Sequence, residues 1–587
     1  MSAGARRRSS DAHAATLMSD DTDNDEFASG VNVVALTGDA HHNGALSTDL
    51  EELHERVNRT YGVFGERALV DDEAALPRRV SADGDGKRSA WVIATVFFAS
   101  AFLSFVSHPV WSGRGQWANA FRVDTVFVVV WGPLLYWALA KDKLSRSLRT
   151  YLVLALFIES FSEAMFLEKG EGGYWDSVLW PASVAYFGTI KEFSGLPGAS
   201  LPVFFFATLG LLWRTIWGKK APYRAPPPRF ARNSLLLFLA TVVGLSLMGI
   251  AGGGRVDSTF RQVVYMLELP LVGLLFLYAL RVPEDLAAVG MAFVLAAVAR
   301  SLLVLYVYVG VCIPNGITEI PGKPEWCTTH SDTVLFVSAI VILLCYGLHE
   351  RKRKAIGRCV ALGLVIFLGI VLNNRRLAFV SLVVAPLVVY LALNPSKRKR
   401  RVTISLAVLV PLLVGYVLVG AESSSSSPLF KPAKSIISVL DQKDTSSLSR
   451  DIENENLIYT LRQSPVLSHG FGHEYAFSPN NPPVDLSEVF ASYRLIAHNG
   501  VLWLWSIGGV VGFTLLWFLY PLGGTLALRG YRAAETPIER TAALAALGSI
   551  AVCVVQIWGD QGLISYMTLV TFGVSFAVAS RLAVRAP

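Results

Sequence analysis

Two adjacent arginines at positions 375 and 376, an arginine at 450 and a histidine at 498 are the residues whose types and settings could do chemistry in this chain. Asn373-Asn374-Arg375-Arg376-Leu377-Ala378 reads as a short turn between two apolar spans, on the side where the positive-inside bias disfavours cations. Guanidinium presents a planar fork of donors matched to phosphate oxygens, so the pair is a candidate anion site; anchoring to lipid headgroups is the plainer alternative. Asn373 or Asn374 is in position to cap the helix that follows. His498-Asn499 stands in the equivalent place at the start of another apolar helix, where the helix dipole and unpaired N–H groups favour an anion. Two such helix starts, the arginine pair and Arg450 would together suit a doubly charged pyrophosphate. Imidazole titrates near neutrality and can take a proton from a hydroxyl, which makes His498 a candidate general base; a helix-end histidine bound to solvent or lipid phosphate is the alternative. His469 and His473, in the polar stretch before it, are the rival bases.

The ten histidines form no HExxH or other metal spacing, and the five cysteines form no CxxC, so neither a metal nor another cofactor is expected. Cys345, Cys359 and Cys553 lie in apolar runs as small buried hydrophobes, while Cys312 and Cys327 bracket one loop as a candidate pair. No nucleic-acid partner is expected.

Elements able to hold such a site must be membrane helices. Hydrophobic residues make up 53% of the 587 and charged ones 17%, more apolar length than one soluble core could bury. Apolar runs recur near 89–111, 123–140, 151–167, 198–213, 234–252, 263–280, 286–312, 333–349, 355–372, 377–393, 402–420, 499–520, 541–558 and 562–582. Their lengths suit helices crossing roughly 30 Å of hydrocarbon, where barrel strands would alternate over about ten residues. The expected fold is all-α integral membrane, with about 12–14 transmembrane helices and one large extracytoplasmic loop. Residues 1–88 form a polar tail with 10 Lys and Arg against 17 Asp and Glu, expected to be disordered and cytoplasmic. Its net −7 leaves +14 on the rest to give the total of +7. Transmembrane helices follow over 89–420 and 498–587, with the loop at 421–497 between them. No cleavable signal peptide is expected, because the first long apolar run begins near Trp91.

Lys and Arg set the orientation. The clusters at 141–149, 214–232, 351–354, 397–401 and 529–540 alternate as cytoplasmic connections, which puts both termini inside and the 421–497 loop outside. Within that loop, residues 450–463 carry Ile452, Leu457, Ile458 and Leu461 and read as a helix lying on the membrane surface. Glu159, Glu163, Glu268 and Arg300 fall within apolar spans, either as buried structural ion pairs or as a proton or substrate path. The second reading would make the protein a transporter or a flippase. Against it stand the absence of inverted repeats and the gathering of polar motifs on one face.

Three motifs together resemble the O-antigen ligase and polymerase superfamily. They are Asn374-Arg375-Arg376-Leu377-Ala378-Phe379 before a span, Pro465-x-x-Ser468-His469-Gly470-Phe471-Gly472 in the large loop, and His498-Asn499-x-x-Leu502 with Gly509 and Gly512. His330-Ser331-Asp332, opening a span, is similar to a short polar motif of that family. The resemblance spans roughly residues 330–520 and implies a multi-pass enzyme of the bacterial cytoplasmic membrane. Such an enzyme moves a glycan from an undecaprenyl-pyrophosphate donor to a glycan or lipid A core acceptor at the outer face, without a metal and with inversion. Membrane lipids and other polysaccharide assembly proteins would be its neighbours. Carried over, Arg376 or Arg375 and Arg450 would hold the pyrophosphate and His498 would activate the acceptor. Asn374, Asn499, Gly470 and Gly472 would line the donor site. The chain departs from the family pattern in its doubled arginine, preceded by Asn where Ser is frequent, and in Ile507, where an acidic residue is frequent.

Overall fold

A computed structural model describes residues 144–158, 186–187, 201–217, 226–280, 283–313, 327–350, 352–422, 430, 433, 445–481 and 494–584. The acidic tail, the first two expected spans, Glu159, Glu163 and the Cys312 side chain lie outside the described residues. Fourteen α-helices are described: α1 (Leu144–Phe157), α2 (Val203–Trp217), α3 (Arg229–Ala251), α4 (Val256–Ala279), α5 (Pro283–Val307), α6 (Asp332–His349), α7 (Arg353–Asn373), α8 (Arg376–Ala392), α9 (Lys397–Glu422), α10 (Thr445–Gln463), α11 (Gly500–Trp517), α12 (Leu519–Ala533), α13 (Pro537–Gly559) and α14 (Tyr566–Ala583). Among the described residues there is no β-strand, and nine helical runs are long and apolar enough to cross a membrane. Three shorter apolar helices accompany them. The expected all-α integral membrane fold is the one observed.

Helix α14 is the axis of the bundle, buried along its whole length among α4, α12 and α13. Lipid tails are as apolar as leucine, so close backbone approach must hold such helices together. Gly573 supplies it, because a Cβ there would lie 2.9 Å from the Leu269 carbonyl oxygen and 3.0 Å from the Gly273 nitrogen of α4. At the opposite extreme, α9 exposes most of the described residues of its apolar run, and α7 and α3 present Leu364, Phe367, Leu236 and Leu247 outward. Such a surface suits hydrocarbon rather than water.

Chain direction sorts the connections onto two ends. The basic runs at 352–354, 397–401 and 529–540 occupy one end, where Thr541 of α13 meets the Cys345 carbonyl and His349 of α6. The other end carries α10 and the polar segments 327–331, 373–375, 465–481, 494–499 and 560–565. The span expected over 499–520 continues as α12 to Ala533, so the run from Gly500 covers 34 residues. The run is broken at Gly509, and its last turns, on α12, carry Arg529 and Arg532. Hydropathy alone marks where the apolar run stops; packing of α12 on α13 and α14 carries the helix further. The loop helix starts at Thr445, five residues before the expected Arg450.

Candidate active site

The site begins with α10. Arg450 and Glu453 are one helical turn apart and therefore share a face. Glu453 is buried, with its side chain only 3% exposed. Its carboxylate accepts from the His498 backbone N–H at 2.9 Å and lies 3.1 Å from His498 Nδ1. A carboxylate at Nδ1 fixes the ring and the tautomer in which Nε2 is the basic atom. Behind the histidine, Asn499 caps α11 by accepting from the Leu502 N–H at 3.2 Å, so the imidazole stands over the positive end of that helix. The histidine's carbonyl accepts from the Gln561 N–H at 2.9 Å, joining this corner to the α13–α14 turn.

Across that turn lies a second histidine–carboxylate pair. His330 Nδ1 contacts the Asp560 carboxylate, and the segment bearing His330 is braced on every side. Asn373 Oδ1 accepts from the Cys327 and Thr328 N–H groups at 3.1 and 2.9 Å, and Ser331 Oγ meets Ser565 Oγ at 2.8 Å. Asp332, fully buried, takes the Thr328 hydroxyl and the Arg300 guanidinium, the latter at 2.5 Å. Burial works against a charge on Asp560, yet His330, Arg375 and Arg450 hold its carboxyl well below the usual carboxylate range. Burial also lowers the proton affinity of His330; Asp560 opposes this and the two arginines reinforce it, leaving His330 below the usual histidine range. Arg375 and Arg450, from helices distant in sequence, thus act on the same pair of groups.

The Pro465 to Gly472 segment is woven into the bundle rather than left in solvent. Helix α11 breaks at Gly509, whose φ is +60°, and the Val510 and Val511 N–H groups donate instead to the Pro465 and Val466 carbonyls at 2.9 and 3.2 Å. Farther on, the Gly470 N–H reaches the Ile507 carbonyl and the Phe471 N–H the Leu245 carbonyl, both at 3.1 Å. Gly470 and Gly472 have φ of +78° and +98°; a Cβ on either would come within 2.4 Å of Leu245 or Thr259. Gln262 of α4 closes the weave, accepting from the Gly472 N–H at 2.6 Å and donating to the His473 and Leu495 carbonyls.

Several expectations change with this geometry. Gly470 and Gly472, read as donor-lining, are buried in backbone packing against α3 and α4. Asn374 does not cap the helix after it: it ends α7 in the left-handed region at φ 47°, and Asn373 braces the 327–329 segment. Arg375, not Arg376, is the arginine whose charge acts on Asp560 and His330; Arg376 opens α8 as a partly exposed residue. Arg300 forms a buried ion pair, but with Asp332; Glu268 is fully buried and takes part in none of the ion pairs found among the described residues. His473 Nε2 is 3.1 Å from the Gly249 carbonyl, and His469 is exposed beside it with ring centres 5.7 Å apart.

Glu453 and Asp560 escaped the reading of the sequence, and His330 entered it only as part of a motif. The one available signal for Glu453 was its i, i+3 relation to Arg450 in a polar helix. Among the described residues no group of three or more His, Cys, Asp or Glu could hold a metal ion.

Helices of this kind define a multi-pass membrane protein, one polar end of which gathers arginines and histidine–carboxylate pairs. The family model described as O-antigen ligase matches residues 361–517, which supports the similarity to the O-antigen ligase and polymerase superfamily drawn from the motifs. Arg375, Arg450, Glu453 and His498 lie inside the match, and His330 and Asp560 outside it. No curated protein matches the chain. The family is one of enzymes acting on lipid-linked glycans and their acceptors, and that general type is what the match supports here.

Proposed function

We propose that the protein is a glycosyltransferase that polymerises or ligates glycans from undecaprenyl-pyrophosphate carriers at the outer face of the bacterial cytoplasmic membrane. The observation that carries the reading is that one polar end of the bundle holds Arg375 and Arg450, both acting on Asp560, together with the His498–Glu453 pair, which is joined to the α13–α14 turn through Gln561. Breaking a glycosyl pyrophosphate bond leaves negative charge on the departing phosphate. Two guanidinium groups fixed beside it stabilise the transition state more than the ground state. On the other side of the anomeric carbon the acceptor hydroxyl must lose a proton. His498 Nε2 takes it, and Glu453, hydrogen-bonded at Nδ1, stabilises the imidazolium that results. The acceptor oxygen then bonds to the anomeric carbon as the pyrophosphate leaves from the opposite side, which gives inversion. Arg376 and Asn499 support this arrangement from the two helix starts, Arg376 as a second cation and Asn499 as the cap that fixes where His498 stands.

The lysine and arginine bias supports placing the site outside, with both termini in the cytoplasm and residues 1–88 as a cytoplasmic tail. Purified protein given a prenyl-pyrophosphate-linked glycan and a glycan or lipid A core acceptor is expected to release the prenyl pyrophosphate and extend the acceptor. Movement of the lipid-linked glycan across a vesicle bilayer without bond cleavage would make the protein a flippase instead.

A further inference from the structure

Glu268 has no task in the mechanism above. It stands midway along the apolar helix α4 and is fully buried, and neither of its carboxyl oxygens has a hydrogen-bond partner among the described residues. An ionised carboxylate so placed needs a cation or several donors. The cations of the neighbouring helices are engaged elsewhere: Arg300 of α5 with Asp332, Arg581 of α14 with the Leu277 and Pro226 carbonyls, and Arg214 of α2 with Ser147. Helix α3 brings no titratable side chain between Ser234 and Ala251, and on α4 itself Arg261 lies two turns nearer the outer end and is exposed. The titratable groups coupled to Glu268 are two tyrosines, Tyr151 of α1 and Tyr186, and the Thr208 hydroxyl of α2 is the polar group beside it.

These hydroxyls decide which form of the carboxyl fits. Thr208 Oγ1 donates its hydrogen to the Phe204 carbonyl at 3.0 Å, so Tyr151 must be the donor in its 2.8 Å bond to Thr208. Both hydrogens are spent, and what the two oxygens still offer is lone pairs. The Tyr186 hydroxyl, buried without a hydrogen-bond partner among the described residues, keeps its hydrogen. Lone pairs and one donor suit a neutral carboxyl, whose O–H gives and whose C=O accepts. A carboxylate, which only accepts, would face lone pairs.

We propose that Glu268 is a proton-binding site inside the bundle, and that the proton it carries keeps α1, α2 and α4 packed on one another. The proposal stands whichever reaction the protein performs. The elements meet there through rings: Tyr151 stacks on Phe204 at 5.3 Å and lies 6.4 Å from Phe276 of α4, and Tyr186 meets Phe204 edge-on at 5.4 Å. With its proton the site is electrically neutral. Without it a charge is left among apolar side chains, and water relieves that charge only if the helices part. Folding therefore takes up a proton here, so this contribution to stability is complete at low pH and is lost as pH rises above the ordinary glutamate value. A hard cation is the other species that a carboxylate and lone pairs could take, but it takes about six to eight oxygens, more than this carboxyl and three hydroxyls supply.

The test uses the full chain in lipid nanodiscs. Dicyclohexylcarbodiimide partitions into hydrocarbon and adds a protonated carboxyl across one N=C bond; the O-acylisourea rearranges to a stable N-acylurea that peptide mass spectrometry locates. At neutral pH Glu268 is expected to be labelled about tenfold or more beyond Asp257, the exposed carboxyl of the same helix, because only about one ordinary carboxyl in a thousand is protonated there. Labelling should fall as pH is raised and should not change when sodium chloride replaces choline chloride. Melting temperature gives a second reading. Glu268→Gln is neutral at every pH, so its advantage over wild type should widen as pH rises from about 4.3. A difference that stays constant with pH shows an ionised carboxyl in the fold and overturns the proposal. Sodium that blocks the labelling, or that raises the Tm of wild type and not of Glu268→Gln, gives the site to a cation and overturns it as well. Should Glu268→Gln fail to fold, wild-type labelling decides alone: a Glu268 no more reactive than Asp257 ends the proposal.

Discussion

Among the described residues the protein carries two histidine–carboxylate pairs at one end of the bundle, and they are built in opposite ways. In one, Glu453 and His498 come from the connection between α9 and α11, the carboxylate on α10 and the histidine at the mouth of α11. In the other, His330 and Asp560 sit on the rims of α6 and α13, locked by Asn373, Ser565 and Arg300 within the packed bundle. The first pair also holds the chain, Glu453 accepting from the His498 backbone N–H, whereas the second lies in the combined field of Arg375 and Arg450. A histidine held through Nδ1 by a buried carboxylate is suited to accept a proton from a substrate hydroxyl. The difference lies less in the residues than in what surrounds them.

The largest test of that contrast is His498→Ala, expected to lower turnover by about 10² to 10⁴ while leaving donor binding nearly intact. Loss of activity in His469→Ala instead, with His498→Ala active, would move the base into the woven loop. Arg375→Ala and Arg450→Ala are each expected to weaken donor binding by about ten- to a hundredfold, since each removes a charge-assisted contact. Arg376→Ala should do less than Arg375→Ala, and the reverse order would show that the arginine facing Asp560 is a structural counterion. Glu453→Gln keeps a hydrogen-bond partner but removes the negative charge; kcat should fall by less than in His498→Ala, with KM little changed. An unaltered kcat there would reduce Glu453 to a brace for the chain.

Smaller effects concern stability. Gly470→Ala places a Cβ against the Leu245 carbonyl at φ +78° and should cost about 1–3 kcal/mol from the backbone conformation alone, read as a lowered Tm. The second histidine pair also gives stability a pH dependence. Both Asp560 and His330 have folded-state pKa values below their ordinary ones, so each contributes stability that is complete above the ordinary value and lost as pH falls through the depressed one. Melting temperature in the absence of donor is therefore expected to decline first below about pH 6.5, from His330, and again below about pH 4, from Asp560. His330→Gln should flatten the upper of the two declines. A profile unchanged by that substitution would mean that His330 is already charged in the folded protein.

What the sequence determined by itself was the class of the molecule and one half of each chemical group. Apolar run length is a local property, and the hydrocarbon thickness turns it directly into helices, which is why α3 to α9, α11, α13 and α14 could be foreseen within a few residues. Arg375, Arg376, Arg450 and His498 stood out because polar residues at helix ends in an apolar chain are costly and therefore sparse. Only the tertiary structure decided their partners. Glu453 reaches His498 across 45 residues and Asp560 reaches His330 across 230, contacts that no periodicity encodes. The same holds for Arg375 over Arg376. Consecutive helix-end residues diverge by roughly 100° around the axis, so which one meets Asp560 depends on how α8 is rotated against α13. The glycines of the woven loop were legible as glycines but not as packing. Their role depends on α11 breaking at Gly509 and on the backbones of α3 and α4 lying within a few ångströms. Helix packing in a membrane is fixed by such close approaches rather than by hydrophobicity, and close approaches exist only once the bundle is assembled.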